Sequence, residues 1–248
     1  MYRVRVSGRD ELAYLGQTGR SLRGRVLALT RHTLAAKMPW NDPHTAAPSL
    51  WSYRDAEGMD FELSVASVDL PEADRRGLEC ELLWQYRLLR GGSPLCNFGR
   101  LHKHYKKSGN RSTGNRGGRL NKVNPGYAPS ISPLELKGVP ADRDWMGLNW
   151  AEITILTRAA LQGVPDVEGV YKLLSAETEE LLYVGETKNL HSRLLGQGRK
   201  HRAKMDFSFC KVPELKAKSQ RLDIENDLIG AFYHMTKSSP RFQFGVLE

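Results

Sequence analysis

An internal repeat constrains the fold of this chain more than any other feature of its sequence. The segment LYVGETKNLHSRLL at 182–195 has a near copy, AYLGQTGRSLRGRV, at 13–26. In each copy a Tyr-x-Gly strand end is followed by a polar turn and then by a segment with helical periodicity that carries an arginine. Such a pattern can occur once by chance, but two copies in one chain indicate a duplication.

Further landmarks keep their order and spacing around both Tyr-x-Gly segments. A second tyrosine lies 12 residues upstream in each copy, and apolar stretches around a polar turn predict a β-hairpin between the two tyrosines. Downstream, Phe61 and Phe207 begin matching segments. A glutamate follows each phenylalanine after 18 residues, and a side-chain amide follows each glutamate after 18 more. We therefore predict a tandem duplication.

Each copy predicts a small domain of β-hairpin, helix, strand, helix and short strand. The expected fold class is mixed α/β (α+β): two domains in pseudo-twofold tandem, each with a three-stranded, mainly antiparallel sheet flanked by helices. The first domain is expected at 1–100, a basic, Gly- and Pro-rich linker at 101–168, and the second domain at 169–248. The linker should contain a mobile basic loop, a Pro-rich extended stretch, and a segment in which Trp145, Met146 and Trp150 seat one domain against the other.

The charge of the chain indicates a polyanionic partner. The formal net charge is +9, and the window from Leu82 to Leu134 contains ten Lys and Arg residues and no Asp or Glu. Its basic segment supplies the expected phosphate contacts Arg100, Lys103, Lys106, Lys107, Arg111, Arg116 and Arg119.

Membrane and secretory classes are not indicated by the sequence. It has no apolar run long enough to span a membrane and no signal-peptide pattern at its start. The three cysteines match neither a disulfide nor a zinc framework. We therefore expect a reduced, cytoplasmic protein with no membrane partner.

The residues that recur are two tyrosines, an arginine, a glutamate and an amide, and together they suit phosphodiester hydrolysis. A carboxylate can hold a divalent cation that neutralises charge on the phosphate and the leaving oxygen. A guanidinium matches phosphate geometry with its fork of donors. A tyrosine can orient the attacking water, and can accept its proton if nearby cations lower the pKa of the phenol. One glutamate in each copy predicts one metal ion per site.

These motifs resemble those of the GIY-YIG nuclease superfamily, which includes homing endonucleases, some restriction enzymes and the incision subunit of bacterial nucleotide excision repair. The second copy shows GVY at 169–171 and YVG at 183–185, with an arginine on the next helix and a glutamate on a later one. The first copy is similar over 1–99, with MYR in place of the first motif and YLG as the second. The resemblance implies a metal-dependent nuclease that uses Mg²⁺ or Mn²⁺.

The resemblance also implies four roles: positioning or deprotonating the attacking water, assisting at the phosphate, stabilising the developing charge and binding the metal ion. In the second copy they fall, in that order, to Tyr171, Tyr183, Arg193 and Glu225. In the first copy they fall to Tyr2, Tyr14, Arg25 and Glu79, the last preferred to Glu81 because it aligns with Glu225. The amides Asn97 and Gln243 complete the catalytic set.

The chain departs from the family pattern after the arginine. Family members often carry His or Tyr one helical turn later, whereas these positions hold Leu29 and Gln197. His32 and His201, slightly further on, are weaker candidates for the missing group, and ordinary surface histidines are the alternative.

A stretch present only in the first copy, MPWNDPHTAAPSLWSYRDAEG at 38–58, contains Trp40, His44 and Trp51. We expect these three side chains to pack locally rather than to recognise bases.

The leading hypothesis is a metal-dependent DNA endonuclease of the restriction or defence type, which cuts duplex DNA with one site in each copy. A fused pair of sites can cut antiparallel strands within one chain, so the protein can act as a monomer. Two alternatives stay open: a DNA-binding protein on a nuclease scaffold with one or both sites inactive, and a nuclease for repair or branched DNA.

Overall fold

The structure, a computed structural model, describes residues 1–42, 44–200 and 204–245, with Lys200 described by its backbone alone. The chain forms two compact units. Unit 1 comprises Met1–Glu72 and Ser93–Pro129, and unit 2 comprises Ala73–Gly92 and Ser130–Glu248. Both units combine helices with antiparallel sheets, which confirms the mixed α/β class. Among the described residues, no helix is both long and apolar enough to cross a membrane.

Unit 1 is built on a three-stranded antiparallel sheet. Its first strand, YRVRV, alternates buried tyrosine and valines with exposed arginines, so one face of the sheet is apolar and two helices cover it. The sheet order is β2-β1-β3. The elements are β1 (Tyr2–Val6), β2 (Leu12–Gly16), α1 (Leu22–Thr33), α2 (Ala47–Glu57) and β3 (Phe61–Val65).

The basic segment after residue 100 belongs to unit 1, where it pairs with itself and packs on α2, and the expected mobility stays a prediction. Two short strands, β4 (Tyr105–Lys106) and β5 (Gly118–Arg119), pair antiparallel. The ring of Tyr105 is buried, and its hydroxyl donates to Asp55 on α2 at 2.6 Å. Backbone bonds such as Asn41 N–H to the Gly109 carbonyl fix the tip of this hairpin. A buried aromatic ring and paired backbone groups therefore connect the segment to the rest of unit 1.

Unit 2 is built on a four-stranded sheet with the order β6-β9-β7-β8. Its central strand β7 is buried along almost its whole length, because it is covered on both faces. The elements are α3 (Glu72–Arg90), β6 (Thr154–Ile155), β7 (Gly169–Ser175), β8 (Leu181–Thr187), α4 (Leu190–Lys200), β9 (Met205–Lys211) and α5 (Lys218–Thr236).

Helix α3 packs in the core of unit 2, which divides the chain differently from the predicted boundary at residue 100. Trp84 joins the core that also contains the buried side of α5. The two helices approach closely at glycines: a side chain at Gly230 would stand 2.5 Å from the carbonyl oxygen of Cys80, and one at Gly77 would overlap the ring of Tyr233. Alignment of the two copies predicted that α3 is the second helix of the first domain. In the structure, the apolar stripe of α3 is buried against α5 within unit 2.

A buried ionic cluster ties the predicted linker to unit 2. Arg87 on α3 donates from Nε to Asp227 at 2.7 Å and from Nη1 to Asp223 at 3.1 Å, and all three side chains are fully buried. The same two carboxylates accept backbone N–H groups of Ile131 and Leu134. Residues 130–168 therefore belong to unit 2 and not to a separate linker.

The tryptophan segment also lies within unit 2. Trp145, Met146 and Trp150 are buried in its core, where Lys172 of β7 lies against both indole rings. Its Nζ donates to the carbonyls of Pro140 and Asp142. These residues thus stabilise unit 2 itself, whereas the sequence predicted a domain-seating role.

The hairpins of the two units share strand order, register and irregularity. Tyr2 pairs with Gly16 as Tyr171 pairs with Gly185. Beyond Val4 the pairing skips Ala13 of β2, and beyond Leu173 it skips Leu182 of β8, so each hairpin has a bulge at the equivalent place.

The third strands match with an offset from the predicted alignment. Val4 lies opposite Leu63, and the equivalent Leu173 lies opposite Phe207. Leu63, and not Phe61, is therefore the counterpart of Phe207. The prediction of a short strand at the end of each copy was also wrong, because Asn97–Gly99 and Gln243–Gly245 are 3-10 turns.

Candidate functional sites

In unit 2, two tyrosines meet because neighbouring strands carry them. Tyr171 on β7 and Tyr183 on β8 stack with ring centroids 5.8 Å apart and an interplanar angle of 28°. Gly185 lies directly against the first ring, since a Cβ there would stand 2.6 Å from the hydroxyl oxygen of Tyr171. The glycine of the Tyr-x-Gly motif is therefore required by packing on the tyrosine.

Helix α4 places two donors on the hydroxyl of Tyr171. Arg193 Nε donates to it at 2.9 Å, and Gln197 Nε2, one helical turn later, is 2.7 Å away. The hydroxyl of Tyr183 lies against the same guanidinium. Arg193 is exposed to solvent although its guanidinium interacts with both tyrosine hydroxyls.

Tyr171 itself is fully buried, and burial is the main reason that its pKa is raised above its ordinary value. Arg193 acts to lower this pKa, but burial outweighs it, so the condition under which the phenol could accept a proton is not met. A neutral phenol whose oxygen receives Arg193 and Gln197 acts as a positioning group. The members of the site that reach solvent are Tyr183, which is half-buried, and Arg193.

Glu225 on α5 interacts electrostatically with this arginine. The backbone N–H of Glu186 donates to its Oε1 at 3.3 Å. Burial, and next the charge of Glu186, raise the pKa of Glu225 to about 7, while Lys218 and Arg193 act in the opposite direction. A carboxylate in this environment gains from a nearby positive charge.

Glu186 is a residue that the sequence reasoning missed. It follows the YVG motif directly, and its carboxylate accepts from Arg221 Nε at 3.0 Å and lies 3.6 Å from Lys218 Nζ. The same position in unit 1 is Gln17, so the repeat comparison gave no reason to select it.

Unit 1 contains a nearly identical pair of rings. Tyr2 and Tyr14 stack with centroids 5.9 Å apart at 29°, and a Cβ at Gly16 would stand 2.7 Å from the Tyr2 hydroxyl. Arg25 on α1 donates from Nε to that hydroxyl at 3.4 Å. Tyr2 is 2% exposed, so this tyrosine is also buried.

His44 supplies the second donor in unit 1. Its Nε2 lies 3.2 Å from the Tyr2 hydroxyl, and its ring packs edge-on against both tyrosines. The sequence reasoning expected local packing, because His44 lies 19 residues after Arg25 and on a different element. The only available signal was a histidine within the stretch that the second copy lacks.

The two histidines proposed from sequence do not take this place. His32 points its Nδ1 to the carbonyl of Ala28, one turn earlier in α1, at 2.6 Å. His201 lies outside the described residues.

Both amides are bound to the backbone of an edge strand. Asn97 accepts from the Leu15 N–H at 3.0 Å and donates to the Leu15 carbonyl at 2.8 Å. Gln243 makes the same pair of bonds with Val184, at 3.0 and 3.1 Å. Leu15 and Val184 are the residues between the tyrosine and the glycine of the Tyr-x-Gly motif in their respective units. The amides therefore hold the strand that carries the tyrosine, and their predicted catalytic role stays a prediction.

Glu79 lies on α3, within unit 2. The helices α3 and α5 are in contact where Asn226 Nδ2 donates to the Cys80 carbonyl at 3.2 Å. Cys80 directly follows Glu79 in the sequence, and Asn226 directly follows Glu225, so the two glutamates occupy equivalent positions beside this contact. Glu81, the alternative, accepts from Lys237 Nζ at 3.0 Å and lies 2.7 Å from His234 Nδ1.

The basic residues of the segment after residue 99 differ in accessibility. Arg100 is buried with its guanidinium over the ring of Phe98, and Lys107 is half-buried, where burial lowers its pKa. Arg116 stacks on Trp40 at 4.6 Å. The exposed cations of the hairpin are Lys103, Lys106, Arg111, Arg116 and Arg119.

Within the part of the chain that the structure describes, no three His, Cys, Asp or Glu side chains form a cluster that could hold a metal ion. Comparisons with protein-family models, with curated proteins and with solved structures give no match. Function must therefore be argued from the geometry of the sites.

Proposed function

We propose that the chain is a metal-dependent DNA endonuclease of the GIY-YIG type, acting on duplex DNA in a restriction or defence role. The observation that carries the proposal is the arrangement around Arg193. Its Nε is held by a buried tyrosine, a second tyrosine lies beside it, and a half-buried glutamate is close by. A fixed guanidinium fork is suited to an anionic phosphate whose charge increases during attack.

The residues of unit 2 fit a divalent cation. Mg²⁺ is usually bound through one or two carboxylates together with phosphate oxygens and water. Glu225 would hold Mg²⁺ or Mn²⁺ with Glu186 beside it, and the positive charge would favour the ionised form of Glu225, whose pKa is raised to about 7 by burial and by the charge of Glu186. When bound, the ion would neutralise charge on the phosphate and on the leaving oxygen.

In this proposal the residues of the chain divide into two groups. Arg193 and Tyr183 contact the phosphate, because both reach solvent whereas Tyr171 and Gln197 are buried. Tyr171 and Gln197 are positioning residues, since both act through the phenol oxygen that holds the arginine. The corresponding contacts in unit 1 are assigned to Arg25 and Tyr14, while Glu79, the glutamate predicted for the first copy, belongs to unit 2.

The proposed DNA contact surface is the hairpin of unit 1. Its exposed lysines and arginines would contact phosphates, so affinity should fall steeply with salt. A cytoplasmic location and action as a monomer with two sites remain part of the same proposal.

Cleavage of a supercoiled plasmid in Mg²⁺ or Mn²⁺ tests this function. Wild type would be compared with Glu79→Ala, Glu225→Ala and the double variant, on unmodified and cytosine-methylated DNA. Glu177→Ala, in the exposed turn between β7 and β8, is the matched control. If both sites act, wild type linearises the plasmid and each single variant only nicks it. If one site acts, one variant is silent and the other loses all cutting.

A DNA-binding protein on a nuclease scaffold is the second candidate, and the burial of Tyr2 and Tyr171 favours it. It predicts salt-sensitive DNA binding with no cleavage in either metal. That outcome on linear, supercoiled and branched substrates would rule out the nuclease. Preferential cutting of junctions or flaps would instead identify a nuclease for repair or branched DNA.

A further inference from the structure

The hydrogen bonds of His44 determine which of its nitrogens carries the proton. The backbone N–H of Ala46 donates to Nδ1 at 3.2 Å, so Nδ1 must be an acceptor. In the neutral ring the proton therefore lies on Nε2, which is the nitrogen that faces the Tyr2 hydroxyl at 3.2 Å. His44 is fully buried, and burial, followed by the charge of Arg25, keeps the ring neutral by lowering its pKa to about 3.

Gln197 makes the same contact in unit 2 from a different part of the fold. It is on α4, one turn after Arg193, whereas His44 precedes α2. In both units the phenol oxygen faces one arginine Nε and one neutral side-chain nitrogen. The equivalent position on α1 is Leu29, which has no polar group and is buried in the apolar core of unit 1.

We propose that His44 is the positioning residue of the unit 1 site: its Nε2–H holds the Tyr2 hydroxyl in place for Arg25, as Gln197 holds Tyr171 for Arg193. This proposal rests on the nuclease function argued above. His44 transfers no proton. It fixes a phenol oxygen, and that oxygen fixes the guanidinium that faces the phosphate.

The geometry explains why a neutral donor is needed beside the arginine. Arg25 already places a positive charge next to Tyr2, and a second cation in a buried site would be costly. A neutral N–H adds a hydrogen bond without adding charge. An amide and an Nε2–H imidazole are both such donors, so each should replace the other.

Strand nicking in a background with one site disabled tests the role in catalysis. In Arg193→Ala protein, nicks would come from unit 1, and His44→Gln would be compared there with His44→Phe. The phenylalanine variant keeps the ring and loses the donor. We expect it to lower kcat by about 10- to 100-fold with KM unchanged, as for a misplaced catalytic group. His44→Gln should restore most of that loss.

The reciprocal pair provides the matched control. In Arg25→Ala protein, where nicks would come from unit 2, Gln197→Leu should lower kcat in the same way and Gln197→His should restore it. Equal rates for His44→Phe and His44→Gln would overturn the proposal. So would loss of all nicking in Arg193→Ala protein while wild type still cuts, because unit 1 would then do no chemistry and the nuclease function would rest on unit 2.

Nitrogen-15 NMR of the histidine rings tests the geometry without cleavage. The chain has seven histidines, and the His44 signals are identified by their loss in His44→Gln. A neutral Nε2–H ring that persists at about pH 5 supports the proposal. An Nδ1–H ring, or titration with an ordinary midpoint, overturns it even if His44→Phe fails to fold. Absence of cleavage by every protein, with the expected NMR spectrum, would count against the nuclease function and not against the contact.

Discussion

The two tyrosine sites agree in backbone geometry and differ in their polar partners. Ring stacking, hairpin register, the bulge and the amide bound to the edge strand are the same in both units. The second donor is a histidine before a helix in unit 1 and a glutamine within a helix in unit 2. The position after the glycine is Gln17 in one unit and Glu186 in the other.

This difference separates two kinds of constraint. Features set by close packing, such as a glycine against a phenol, allow no alternative. A hydrogen-bond donor is constrained only at the atom that it presents, so any element that reaches the same point can supply it. When a motif position lacks a polar side chain, as Leu29 does, a side chain from another part of the chain can therefore supply the hydrogen bond.

The glycines should give the largest effect and test whether the shared geometry is equally strict. Gly16→Ala and Gly185→Ala each place a Cβ within 2.7 Å of a tyrosine. We expect each to lower the free energy of unfolding by about 3 kcal/mol, since overpacking forces the ring to move. Chemical denaturation measures the change. Unequal losses would show that one site is more loosely packed than the other.

Helical glycines with free space are the controls for that experiment. A Cβ at Gly24 on α1 would meet only Ser21 atoms at 3.8 Å, and one at Gly196 on α4 would meet nothing within 4 Å. Alanine at either position should leave stability unchanged or raise it by up to about 1 kcal/mol.

The amides should give the next largest effect. Asn97→Leu and Gln243→Met keep approximate shape but leave the N–H and carbonyl of Leu15 or Val184 without these partners. We expect about 2 kcal/mol of destabilisation in each case, the cost of unsatisfied buried backbone groups. Denaturation of both variants measures it. An unchanged midpoint in either one would show that the amide of that unit is dispensable to the edge strand.

The last effect is the pH dependence that His44 contributes in unit 1, and it is confined to the acidic side of neutrality. The folded-state pKa of His44 is about 3, against an ordinary value of 6.5, so over that range the unfolded chain binds a proton that the folded chain does not. The free energy of unfolding of wild type should therefore fall, relative to His44→Gln, by about 2 kcal/mol between about pH 7 and pH 5. Above pH 7 the difference should be constant.

Denaturation of both proteins across this range measures the difference. A difference that grows on the alkaline side, or stays flat throughout, contradicts a buried neutral imidazole. Gln197→Leu provides the comparison in unit 2, where no titrating group is replaced.

The sequence was sufficient to predict both β-hairpins, because the residues that mark them are specific. A tyrosine pair at fixed spacing and a glycine against the ring leave one possible register, and the structure has it in both units. The third strands were less specific, because shifting the alignment by two residues keeps the same faces of a strand buried. Phe61 and Phe207 were therefore aligned although Leu63 is the true counterpart.

Two further features depend on contacts distant in sequence. The apolar stripe of α3 shows that the helix is buried, but it does not show against which partner, and α5 is about 150 residues away. His44 and Tyr2 are 42 residues apart. Nothing in the local pattern around His44 indicates that its ring reaches a strand at the start of the chain.

The packing of α3 with α5 has a consequence for how this protein can be divided. Separate expression of the two sequence repeats, cut near residue 100, would leave the first product with an exposed apolar helix. It would also leave Asp223 and Asp227 of the second product without the arginine that neutralises them. The two sequence repeats are therefore not a pair of detachable modules. A truncation that respects the fold must carry residues 73–92 together with the second half.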